Sequence, residues 1–434
     1  MEPLRACWRV ISIFILICVG CCLSSAYSVL THEEIVDLLW QVRIEALLRQ
    51  RFPDATDDDL RKAHAFAYGG SLIADMGYYP FGNKYFSDLL HYVRTGDFVM
   101  NMLHDASDLN EYAFALGAMS HYAADSSGHP TINAVVAIEF PKLGSRYGST
   151  VTYADDPKAH IRTEFGFDMV QVAKNRYTSD RYHDFIGFQI AKPLLERVFL
   201  ETYNLPLHDV ISDEDLAIGT FRRAVSQVIP EMTRVALLAR KDEIVHDTPN
   251  FNKKKFLFYL SRKEYRQNWD DEYRKPGFGA RVLAFFLKLV PKVGPFSALA
   301  FKIPTTRTED MYIKSVDLTI EDYKRLLKAP LSPTFTLSNL DYDTGHPTRA
   351  GEYQLTDKTY ERLLNDQATH NFAQMTPELR ANMLAFYSHL NAPIWTKRSP
   401  KAWHLTLANL TRLKATPPPI EPVPEPEQVA ESAP

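Results

Sequence analysis

His121 and Asp125 stand four residues apart beside the apolar run Ala115 to Met119. An α-helix turns every 3.6 residues, so positions i and i+4 share a face and can aim a ring nitrogen and a carboxylate at one point. His160 and Glu164 repeat the spacing on a second helical pattern. His129 follows Asp125 at what reads as a helix end, marked by Gly128 and Pro130. A lone His-x-x-x-Asp pair is also what a surface ion pair or a satisfied core histidine looks like. Two pairs and a third histidine between 121 and 164 are a stronger signal, because imidazole and carboxylate together suit a borderline ion such as Zn²⁺. Seven of the fourteen histidines lie between His32 and His160.

The pattern around these residues is helical. Glu34 to Leu48, Leu60 to Ala74, Glu111 to Ala124, Ala159 to Ala173 and Leu216 to Arg240 place apolar residues at helix spacing. Ala134 to Phe140 is the best candidate strand and is short. There is no internal repeat and no Gly-rich phosphate loop. The expected class is all-α. Composition excludes a wholly disordered chain, at 45% hydrophobic and 24% charged residues. A formal charge of −4 carries no bulk basic signal for nucleic acid. All four cysteines, Cys7, Cys18, Cys21 and Cys22, lie early. No disulfide framework or thiolate metal site can form after residue 22, so a metal must be held by His, Asp, Glu or backbone.

Both ends differ from the body. Arg5 and Arg9 precede an apolar run from Val10 to Cys22, and Ser24-Ser25-Ala26 follows. This reads as a signal peptide over 1–26, cleaved after Ala26 to expose Tyr27, in a protein exported to the periplasm or beyond. An uncleaved anchor and a lipoprotein site at Cys21 are the alternatives. Cleavage removes every cysteine, which suits an oxidising compartment. At the other end, 417–434 holds seven prolines, four glutamates and no Lys or Arg, the composition of an extended acidic tail. A soft boundary at Leu205 to Asp213, where Pro206 interrupts the pattern, divides the body into a metal-binding part, 27–208, and a helical C-terminal region, 209–416. Thr31-His32-Glu33-Glu34 reads as a capping box with Thr31 as the cap, so His32 is expected in a first helical turn.

Together these residues resemble the zinc-dependent phospholipases C, a family related to the zinc-dependent single-strand nucleases of fungi and plants. The likeness runs from about residue 27 to 190 and rests on the order of its ligands: an N-terminal residue, His, Asp, His, His-x-x-x-Asp, His, then His-x-x-x-Glu. Tyr27, His32, Asp75, His91, His121, Asp125, His129, His160 and Glu164 supply that series. The resemblance implies an all-α fold and a cleft with two to three zinc ions. Asp75, His91, His121 and Asp125 would hold one ion. The amino group and carbonyl of Tyr27, with His32 and a bridging Asp125, would hold a second. His129, His160 and Glu164 would hold the third. Asp75 is also the implied candidate for orienting or deprotonating the attacking water. Tyr27 replaces the family's usual Trp, which backbone ligation tolerates. Asp125 and His129 are four apart rather than six, a tighter step than the family's at the third ion. His64 and His104 are read as bystanders.

Such a centre suits metal-assisted phosphodiester hydrolysis, because clustered Zn²⁺ neutralises phosphate oxygens and lowers the pKa of bound water to about 7. A phospholipid at a membrane surface is the leading substrate and partner. Gly279 to Ile303 alternates apolar residues with Arg281, Lys288, Lys292 and Lys302, either a membrane-surface helical pair or a core pair with outward lysines. Tyr68, Tyr78, Tyr79, Phe81 and Tyr122 could cradle a choline cation or stack a base. A nuclease or other phosphodiesterase is the second reading, disfavoured by the near-neutral body. A non-catalytic metal-binding envelope protein is the third. No protein partner is inferred.

Overall fold

The computed structural model describes residues 28–173, 186–229, 301–328, 330 and 332–416. Tyr27, the leader, the acidic tail and 279–300 lie outside the described residues. Among the described residues the chain is helical, with no strand and one isolated bridge, Leu340 to Pro347.

α1 (Val29–Leu39) passes through a wide π-helical turn, Trp40–Ile44, into α2 (Glu45–Arg51). α3 (Asp57–Ser71) begins at a capping box in which Thr56 and Asp59 bond each other's backbone. Asp57, Asp58 and Asp59 lie in its first turn, at the positive end of the helix dipole. A 3₁₀ segment, Ile73–Tyr78, leads to α4 (Lys84–Tyr92), α5 (Thr95–Asp105) and the 31-residue α6 (Leu109–Glu139). α7 (Pro141–Tyr147), α8 (Pro157–Ala173), α9 (Lys192–Tyr203), α10 (Leu207–Val210) and α11 (Glu214–Arg223) follow. The C-terminal region supplies α12 (Thr306–Leu326), α13 (Gln354–Thr369), α14 (Pro377–Phe386) and α15 (Pro400–Ala415).

α6 is the axis of the molecule. It is buried on every side along most of its length, as a helix at the centre of a bundle must be. α3 and α12 flank it most closely. The α3–α6 crossing depends on two glycines. A Cβ on Gly117 would stand 2.1 Å from the Ala67 carbonyl oxygen, and one on Gly70 would stand 1.9 Å from that of Phe114. Backbone therefore meets backbone, and the Ser71 carbonyl comes within reach of the α6 histidine face. α12 is pinned by Tyr323, whose hydroxyl donates to the Leu116 carbonyl at 2.8 Å.

Three local expectations are corrected. Ala134 to Phe140 is no strand; its apolar residues continue α6. α6 also does not end beside His129. Pro130 sits inside it, and burial on several sides holds the helix together across the missing N–H. Thr31 is not a helix cap, because Ser28 precedes the first turn. The Thr31 hydroxyl instead bonds Asp168 of α8 at 2.8 Å and Tyr312 of α12 at 2.7 Å. Asp168 also accepts from the Leu30 N–H, so a carboxylate from a distant helix serves the α1 N-terminus. Burial, opposed by bonds from Ser28, Thr31 and Leu30, lifts the Asp168 pKa to about 6.

A Gly117→Ala substitution is expected to cost about 1–3 kcal/mol, the range for overpacking a filled interior. Chemical denaturation read by circular dichroism checks this.

Candidate metal centre

Eight of the nine side chains singled out in the sequence converge; Tyr27 lies outside the described residues. His32 comes from α1, Asp75 from the 3₁₀ segment, and His91 from α4. His121, Asp125 and His129 come from α6, and His160 and Glu164 from α8. All are buried. They form three groups whose ligand-type atoms lie within 4.8 Å of one another: His32, His121 and Asp125; Asp75, His91 and His121; and His129, His160 and Glu164. His121 joins two groups rather than one.

Asp125 is the hub. Its Oδ2 lies 3.0 Å from His121 Nε2, 3.5 Å from His91 Nε2 and 3.7 Å from His129 Nε2, and its Oδ1 lies 3.4 Å from His32 Nε2. His91 Nε2 is 3.6 Å from Asp75 Oδ1. Donors sharing one tetrahedral ion with bonds of about 2.0–2.1 Å lie about 3.3–3.4 Å apart, close to these separations. The atoms are not hydrogen bonded to one another. Asp75 Oδ1, both Asp125 oxygens, His91 Nε2, His121 Nε2 and both His129 nitrogens are buried without a hydrogen-bond partner. Such orphaned groups are costly unless something else satisfies them.

The opposite ring edges are tied to backbone. His121 Nδ1 bonds the Ser71 carbonyl at 2.8 Å, His91 Nδ1 the Ser87 carbonyl at 2.8 Å, and His160 Nε2 the Val151 carbonyl at 2.6 Å. A carbonyl only accepts, so each of these nitrogens carries the proton. In the neutral ring the other nitrogen turns its lone pair inward, as metal-ligating histidines require. Ser87 also accepts from Gly77 N–H at 3.0 Å, which joins the segment bearing Asp75 to the helix bearing His91.

The electrostatics favour a cation. Among the described residues, Asp75, Asp125 and Glu164 have only histidines as ion-pair partners. Burial raises Glu164 well above the carboxylate range, and His129 opposes this only in part. Burial also works against Asp125, but His121, His129 and His91 hold it well below that range. Burial opposes charge on His91 and His121, yet Asp125 and Asp75 outweigh it and lift both. Burial and the neighbouring His121 depress His32 to about 4. The donor set therefore fits a zinc ion: nitrogen and oxygen donors, buried, convergent, unsatisfied and short of positive charge.

The four-residue step from Asp125 to His129 keeps both on one face of α6, so the shorter spacing does not remove His129 from its group. His64 stacks on Trp40 at 3.7 Å and bonds Asp37 at 2.9 Å, and His104 is exposed; neither joins the cluster. Of the aromatic residues proposed to line a cleft, Tyr78 contacts His91 edge-on. Tyr68 bonds Asp37, Tyr79 packs on Phe221, Tyr122 donates to the Ser338 carbonyl, and Phe81 is exposed.

Two residues at the cluster were not anticipated. Tyr342 lies against His91 at 5.5 Å and His121 at 5.8 Å, and Asp343 Oδ1 is 3.3 Å from His129 Nε2. Both come from a loop about 180 residues beyond Glu164. No periodic spacing links that loop to the histidines, so only the fold brings it in.

Residues 31–213 match a family model described as Zinc dependent phospholipase C. No curated protein and no solved structure matches the chain.

Zinc binding to the metal-free protein at pH 7 is expected to release protons. Asp125 and Asp75 favour the protonated forms of His91 and His121, and an ion competes with those protons for the inward nitrogens, so affinity falls as pH falls. Calorimetry in two buffers of different ionisation enthalpy reads this; identical heats in both would contradict it.

Proposed function

We propose, from the match of residues 31–213 to the zinc-dependent phospholipase C family model, that this chain is a zinc-dependent hydrolase. Its proposed reaction cleaves the glycerol–phosphate bond of glycerophospholipids, releasing diacylglycerol and a phosphorylated head group. The observation that carries this reading is the convergence of eight His, Asp and Glu side chains from five elements on one buried cluster.

His32, Asp75, His91, His121, Asp125, His129, His160 and Glu164 would hold the ions, with the Tyr27 backbone as a further donor. When bound, zinc supplies Lewis-acid neutralisation of phosphate oxygens and makes a nearby water more acidic. The chain's own residues do the rest. Asp75 is the proposed group that orients the attacking water and takes its proton. The Ser71, Ser87 and Val151 carbonyls fix three rings, so little reorganisation remains at the moment of reaction. Tyr78 and Tyr342 keep bulk water off His91. Action outside the cytoplasm, after cleavage following Ala26, belongs to the same proposal.

Asp125→Asn is expected to lose zinc and lower phosphatidylcholine turnover at least about a hundredfold. Wild-type turnover in that variant would sink the site assignment. Phosphatidylcholine vesicles and single-stranded DNA, each with and without chelator, separate the substrates: chelator-sensitive diacylglycerol release is expected, and DNA cleavage alone would favour a nuclease. N-terminal sequencing of the exported protein should begin at Tyr27; another start removes Tyr27 from the donor set.

A further inference from the structure

The geometry points to Asp343 as an additional zinc ligand at the His129 end of the centre, supplied from outside the segment that matches the family. This rests on the zinc-centre reading above.

Asp343 is buried, and its two oxygens are divided in their duties. Oδ2 accepts hydrogen bonds from the hydroxyls of Tyr92 and Tyr353. Its main-chain carbonyl accepts from Asn133 Nδ2 at 2.8 Å, one helical turn beyond His129. These bonds turn Oδ1 toward His129 Nε2 at 3.3 Å. That separation equals the spacing of two donors on one tetrahedral ion. The contact is no hydrogen bond: His129 Nε2 is fully buried and has no hydrogen-bond partner. A cation between Asp343 Oδ1 and His129 Nε2 would satisfy the buried nitrogen that no hydrogen bond reaches.

The loop is built to deliver this oxygen. Tyr342 N–H donates to the His91 carbonyl at 3.1 Å, and Thr95 Oγ1 bonds both the N–H and the carbonyl of Leu340. Gly345, at φ +71°, comes so close to α6 that an added Cβ would stand 2.4 Å from the Ser126 carbonyl oxygen. Pro130 provides no N–H to that carbonyl, so the loop seats where the helix ladder is broken. His129, His160 and Glu164 provide three donors, and zinc takes four or more. Asp341, two residues earlier, faces the other way and is spent on Thr356 and the Thr344 N–H. It is the matched control.

The test uses the full chain with zinc alone and with Co²⁺ as its spectroscopic substitute. Asp343→Asn keeps the shape and can still accept from the tyrosines. It should weaken one class of bound zinc at least about tenfold and change the visible cobalt bands, while Asp341→Asn should do neither. Unchanged affinity and cobalt bands in Asp343→Asn would overturn the ligand assignment. So would equal zinc loss in Asp341→Asn, which would mark a general loosening of the loop. If circular dichroism finds Asp343→Asn unfolded, Tyr353→Phe serves instead, because it keeps the carboxylate and frees part of Oδ2. Shifted cobalt bands then support ligation and unshifted bands overturn it. A wild-type chain that binds no zinc would overturn the metal centre itself, a failure distinct from that of Asp343 alone.

Discussion

Asp125 carries a carboxylate to the middle of α6, out of reach of solvent, with histidines from three helices around it. Removing a charge from water is costly unless it is paired or coordinates a metal. The rest of the site answers that cost. The glycine crossing of α3 and α6 lets a backbone carbonyl orient His121. The 3₁₀ segment brings Asp75, and α8 is anchored to the start of α1 through Asp168. Each device holds a ring or carboxylate so that its free lone pair points inward. The resulting negative potential is left for a cation to neutralise.

The matched segment, 31–213, does not build this environment alone. α12 packs along α6, and the loop between α12 and α13 lays Tyr342 on His91 and His121 and brings Asp343 to His129. The centre is therefore a composite of sequence-distant parts. The loop finds its seat through features of α6 itself: a proline that withholds an N–H, and a carbonyl that only a glycine can approach so closely.

The helical class was legible because the apolar period of 3.6 persists over long stretches, and the ligand-type residues because His and carboxylate at i and i+4 share a face. Local punctuation misled. Gly128 and Pro130 read as a stop, and Thr31 as a cap, because both readings weigh nearest neighbours. In the molecule, lateral burial carries α6 through Pro130. The Thr31 hydroxyl is claimed by Asp168 and Tyr312, 137 and 281 residues away. Of the proposed cleft aromatics, Tyr78 meets a cluster histidine, while Tyr68 and Tyr79 turn to other partners, because adjacency in sequence to Asp75 or His121 does not say which way a ring points.

By itself the sequence determined which residues could be donors and on which helix faces they stand, since periodicity and donor chemistry are local properties. The tertiary structure decided which faces meet. It split the donors into three groups, two of them sharing His121, chose the protonated nitrogen of three rings through carbonyls on other turns, and brought Asp343 to His129. Those outcomes depend on distances between elements far apart in the chain, which are set by backbone contact at Gly70, Gly117 and Gly345 and by the burial of α6.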